Sequence, residues 1–130
     1  MDNRVIAAYQ QLGFKLVVDP SVNYSGYFDA RSRSITMKQI DDSVYHELGH
    51  FLAFIAGNAD KTASFQSIFA AEKANVTAFN KAYVTQNASE YFAESVKDYI
   101  LNNASLKSSR PQTYAAVQNA LKSDYRRTDR

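Results

Sequence analysis

Val44-Tyr45-His46-Glu47-Leu48-Gly49-His50-Phe51-Leu52 decides how this chain is read. On an α-helix, His46 and His50 lie one turn apart and project from the same face. That separation lets two imidazoles reach one tetrahedral Zn²⁺ at about 2.0–2.1 Å each. Glu47 is displaced round the helix, where it can contact a water on the metal, the position of a general base. Val44, Leu48, Phe51, Leu52 and Ile55 supply an apolar stripe that anchors the same helix in a core. Gly49, between the two histidines, leaves room for close backbone approach at a helix-propensity cost of roughly 1 kcal/mol. Both histidines of the chain fall inside this segment. The alternative is a pair of surface histidines contacting Glu47.

Outward from this helix, predicted over residues 41–56, the texture differs on the two sides. Asp41 or Asp42 can cap its start, and Gly57 sits where a left-handed C-terminal cap belongs. Upstream, a short helix is expected to begin at Asp2 or Asn3 and stop at Gly13. A three-strand meander comes next, over residues 14–18, 27–30 and 34–38. Downstream the period is helical. Helices are expected from Asp60 to residue 73, over 76–83, from Asn87 with Glu90 as a capping box to about 101, and from Ser109 to about 124. The expected fold is therefore α+β, in one domain spanning residues 1–130.

A catalytic zinc site needs a third protein ligand and an open fourth position. With no cysteine and no further histidine, that ligand must be a carboxylate. The H-E-x-x-H-x-x-G-x-x-H arrangement is excluded, because Ala53 and Ala56 occupy its last two defining positions. Asp60, Glu72, Glu90, Glu94, Asp98, Asp124 and Asp129 are the candidates. Asp60 reads as a helix cap and Glu72 as a solvated helical residue. Glu90, Glu94 and Asp98 are spaced by four and start on one helix face, shared with Tyr91 and Ser95. That stripe is either solvated surface or functional. In the functional reading Glu90 goes to the metal, and Glu94 accepts a proton from the far nitrogen of a ligating histidine.

Composition narrows the partners. An apolar fraction of 45%, with eight Phe and nine Tyr, supports a globular core without disulfides. The net charge of +2 and the scattered basic residues give no stripe interleaved with aromatics, so no nucleic-acid partner is expected. Arg126, Arg127 and Arg130 read as a solvated tail. The longest apolar run, Phe51 to Ala56, is too short to span a bilayer, and no signal-peptide pattern opens the sequence.

Tyr45-His46-Glu47-Leu48-Gly49-His50-Phe51, about forty residues ahead of Tyr83 and of Glu90-Tyr91-Phe92-Ala93-Glu94, resembles the catalytic domain of anthrax lethal factor. It is similar too to the bacterial secreted Pro-Pro endopeptidases, which share that zincin core. The resemblance implies a zincin-like fold and one catalytic Zn²⁺ held by His46, His50 and Glu90. It further implies Glu47 as general base, Tyr83 as a catalytic phenol seven residues before Glu90, and Glu94 in support. A zinc endopeptidase acting on polypeptides is the expected activity. Secretion is expected by resemblance, with the cytosol as the alternative, and a monomer is expected. The strand Ser34, Ile35, Thr36, Met37, Lys38 either holds an extended substrate or is an ordinary sheet strand. Two rival readings are an intracellular metallopeptidase of the repressor-cleaving type, which also uses H-E-L-G-H, and a zincin-like domain that binds metal or protein without turnover.

Overall fold

Ile35 and Met37 alternate with Ser34 and Thr36, and this period-two pattern places both apolar side chains in the core. The strand they form is the middle of a small sheet. The structure, a computed structural model, describes residue 7, residues 9–78 and residues 80–128. Strands β1 (Lys15–Val18), β2 (Gly26–Asp29) and β3 (Ser34–Met37) are ordered β1-β3-β2. β1 runs parallel to β3, pairing Lys15 with Ser34 and Val18 with Met37. β2 runs antiparallel, pairing Gly26 with Met37 and Asp29 with Ser34. The expected meander is thus corrected. β3 carries the buried apolar pair and takes the central position, and the exposed β1 takes an edge. The β2–β3 turn is tied by Asp29, whose carboxylate accepts the Arg31 and Ser32 N–H groups, with Arg33 at φ +55°.

This order also corrects the substrate-holding reading of residues 34–38. Ser34, Ile35, Thr36 and Met37 have strand neighbours on both sides, and the Lys38 N–H donates to the Ser25 carbonyl at 3.1 Å. An extended peptide finds no free edge there. β2 is the edge strand that lies against Glu47.

The remainder is helical: α1 (Ser43–Ile55), α2 (Ala63–Glu72), α3 (Lys81–Val84), α4 (Ala88–Leu101), α5 (Asn103–Ser109) and α6 (Pro111–Thr128), with 3₁₀ turns at Ala59–Lys61 and Lys73–Asn75. The α+β reading holds. The Asp41 carboxylate accepts the Ser43 N–H at the head of α1, and Gly57 takes φ +76° just past its end, as expected of both. Asp60 does not cap the next helix; it lies in the 3₁₀ turn, and Thr62 caps α2 by accepting the Phe65 N–H. The helix expected over 76–83 shrinks to α3. The sequence pattern gives no sign of α5. The expected N-terminal cap at Asp2 or Asn3, and Asp129, lie outside the described residues. Phe51 and Leu52 of α1, Met37 of β3, Phe92 and Val96 of α4 and Val117 of α6 meet in one core.

Glu72 is another correction. It is buried rather than solvated. One carboxylate oxygen accepts the Thr113 N–H and hydroxyl, each at 2.8 Å, and the other accepts the Gln112 N–H at 3.1 Å. Pro111 has no N–H, so Glu72 satisfies the first backbone donors that α6 presents. Glu72→Ala is expected to lower stability by about 3 kcal/mol, since it strands buried donors at a helix N-terminus. Urea unfolding checks this as a lower midpoint at unchanged slope.

Candidate functional site

Two helices pack face to face to build the site. α1 presents His46, Glu47 and His50, and α4 presents Glu90 and Glu94. Their close approach is set by Gly49. A Cβ there would lie 2.6 Å from the Ala93 carbonyl oxygen and 2.7 Å from the Ala93 Cα, so only glycine permits the contact. At the head of α4, the Asn87 side chain accepts the Glu90 N–H at 2.8 Å, which fixes the first turn and hence Glu90.

Glu90 Oε1 lies 2.9 Å from His46 Nε2 and 3.2 Å from His50 Nε2. His46, His50 and Glu90 each offer one ligand atom, all within 4.8 Å of one another. Ligands bound tetrahedrally at about 2.0–2.1 Å stand about 3.3 Å apart, close to this spacing. On its other side, His46 Nδ1 meets Glu94 Oε1 at 2.9 Å. A neutral imidazole donates from one nitrogen only. A His46 with a carboxylate on each nitrogen therefore suits an imidazolium, or an imidazole donating from Nδ1 and lending Nε2 to a cation shared with Glu90. The donor set fits Zn²⁺.

The titration pattern agrees with this geometry. Burial works against a charged ring at His46, but hydrogen bonds to Glu90 and Glu94 outweigh it and push His46 up to about 9. Burial likewise opposes ionisation of Glu90, yet the two histidines hold it well below the usual carboxylate range. Glu94 is also lowered: burial raises it, and His46 together with the charges of Lys97 and Arg110 prevails. A proton taken up here must leave when a cation binds.

Glu47 is 6% exposed and stands beside this cluster. Burial raises its carboxyl, against the opposing influence of His46 and His50 and of the nearby Phe28 backbone. β2 presses directly on it: a Cβ on Gly26 would come within 3.0 Å of Glu47 Cγ and 2.9 Å of Met37 Sδ. Tyr83, on α3, is 52% exposed with its ring centroid 6.3 Å from that of His46. Burial of its hydroxyl and then the charge of Glu90 push the phenol up to about 12, so it stays protonated and remains a donor. A cavity of about 160 Å³ lined by Gly26, Phe28, Glu47, His50, Tyr83 and Glu90 lies among these groups.

The structure thus brings together His46, His50, Glu90, Glu94, Glu47 and Tyr83. The carboxylate stripe on α4 is not solvated surface: Glu94, Tyr91 and Ser95 are buried. Asp98 belongs to another pair, accepting a bond from the buried Arg110, which also donates to Ser95. Gly26 and Phe28, which line the small cavity, are parts of the site that sequence reasoning missed. A glycine at the opening of a short strand, a mark of close approach, was the available signal for the first.

Two comparisons bear on this arrangement. Residues 21–120 match the family described as "Anthrax toxin lethal factor, N- and C-terminal domain". Over 81 residues, 59% of the chain, the sequence is 41% identical to a protein named Pro-Pro endopeptidase from Clostridioides difficile (strain 630). The match spans 36% of that relative's length.

Proposed function

Because the chain belongs to the anthrax toxin lethal factor family, we propose that it is a zincin-like, zinc-dependent endopeptidase. The observation that carries this reading is the convergence of Glu90 Oε1 on the Nε2 atoms of both histidines. His46, His50 and Glu90 would hold the ion. When bound, Zn²⁺ supplies a Lewis acid that acidifies water and polarises the scissile carbonyl.

The remaining work falls to side chains. Glu47, its basicity raised by burial, takes the proton of the attacking water and hands it to the leaving nitrogen as the peptide C–N bond breaks. Tyr83 donates its hydroxyl proton into a hydrogen bond with the developing oxyanion, a role for which a phenol held up near 12 is suited. Glu94 accepts the Nδ1 proton of His46 and so fixes the tautomer that leaves Nε2 free to ligate. The outer edge of β2, whose Gly26 lies against Glu47, is the backbone best placed to pair with an extended substrate.

Digestion of a mixed peptide library by the zinc-loaded protein tests this. Cleavage that a chelator abolishes and added Zn²⁺ restores is expected. Failure of the loaded protein to cut any peptide, or cutting indifferent to chelation, would overturn the reading. The same digest reports which residues flank the cut.

A further inference from the structure

Beyond His50 the site opens into a second and larger cavity of about 500 Å³. Tyr27, Phe28 and His50 line both cavities, so a chain lying across the ligating residues reaches the larger one directly. Phe28, Ala53 and Phe54 give this cavity an apolar wall. Asp60 is the buried acidic residue of its lining.

That carboxylate is unusual in its setting. Asp60 is 5% exposed, and among the described residues no hydrogen-bond donor or cation partners its side chain. The other carboxylate of the lining, Asp29, is already occupied by the N–H groups of Arg31 and Ser32. Arg31 and Lys61 also line the cavity, but both are exposed, and neither pairs with Asp60. Burying an unpaired carboxylate is costly, and a ligand that brings N–H donors to it recovers that cost. Asp60 has no part in the ligand cluster and does not cap α2, so neither role accounts for it.

We propose that this cavity is a subsite for a lysine or arginine side chain of the peptide substrate, with Asp60 as the carboxylate that selects it. The proposal rests on the endopeptidase reading and adds a substrate class to it. The alkyl stem of such a side chain lies along Phe28, Ala53 and Phe54, and its cationic head meets Asp60. Asp60 is a specificity-determining residue in this scheme, and His50 places its subsite beside the scissile bond.

The test uses the zinc-loaded full chain and peptides that differ at single positions by Lys, Arg or norleucine, the last keeping the stem without the charge. At one position flanking the cut, kcat/KM is expected to favour Lys or Arg over norleucine by about 10- to 100-fold, the usual reach of a charge-assisted hydrogen bond. In Asp60→Asn that ratio falls towards one, and Asp60→Ser gives the same result should the first variant fold poorly. Cleavage without a basic preference, or a preference that survives both variants, overturns the subsite and leaves the peptidase standing. Equilibrium binding of the same peptides to zinc-loaded Glu47→Gln reads the subsite without turnover. There, tighter binding of the basic peptides that depends on Asp60 upholds the subsite even if wild type cleaves nothing, and equal binding overturns it.

Discussion

Glu47→Gln is expected to lower kcat by about 10³-fold while Zn²⁺ still binds in a 1:1 ratio, within the range for loss of a positioned general base. Glutamine matches glutamate in size and keeps the Cγ that packs against Gly26, so the packing of β2 against α1 persists. His46, His50 and Glu90 are untouched. What disappears is the ability to accept a proton, and with it the transfer from water to the leaving nitrogen. Zinc stoichiometry and kcat measured on the same preparation separate the two effects. A Glu47→Gln protein that keeps both its zinc and its turnover would remove Glu47 from the mechanism. One that loses its zinc would show that the residue supports the ion rather than the proton.

The parts of the site that can be read from sequence are those specified locally. His46 and His50 share a face because a helix repeats every 3.6 residues, and Asp41 and Gly57 mark that helix's ends by their own chemistry. Asn87 announces the start of α4, and the four-residue spacing puts Glu90 and Glu94 on one side. Opaque to such reading are pairings settled by distant chain. Glu72 resembles any solvated glutamate until Gln112 and Thr113, forty residues later, arrive at its carboxylate. Asp98 shares the periodicity of Glu90 and Glu94, and only Arg110 distinguishes it. The strand order depends on which apolar residues win the centre of the sheet, and β1, with Leu16, Val17 and Val18, is locally more apolar than the β3 that takes it. Asp60 reads as a cap because a capping residue is recognised by the helical pattern after it, whereas its burial depends on the packing of its 3₁₀ turn against α4.

Gly49→Ala is expected to disturb both the fold and the site, and its sign runs against helix propensity. By propensity alone, alanine in place of a helical glycine gains about 1 kcal/mol. The contact across the helix pair decides otherwise. The new Cβ would stand 2.6 Å from the Ala93 carbonyl oxygen and 2.7 Å from its Cα. Both atoms are backbone, so no side-chain rotation relieves them, and α1 and α4 must separate by about 1 Å to reach ordinary contact. Overpacking of this kind costs about 1–3 kcal/mol even where side chains can shift, and a backbone clash belongs at the upper end. A net loss of about 2 kcal/mol is expected in the metal-free protein. The displacement also falls where it does most harm. Ala93 sits between Glu90 and Glu94 on α4, and Gly49 sits between His46 and His50 on α1. Metal–ligand distances tolerate only about 0.2 Å, so Glu90 is drawn away from the nitrogens it faces and Glu94 from His46 Nδ1. Zinc affinity is expected to fall about 10- to 100-fold, the scale seen when ligands lose their orientation. Thermal unfolding without metal and a zinc competition titration measure the two effects separately. A variant more stable than wild type and equal to it in zinc affinity would mean that helix propensity governs Gly49 and that the two helices have room to spare.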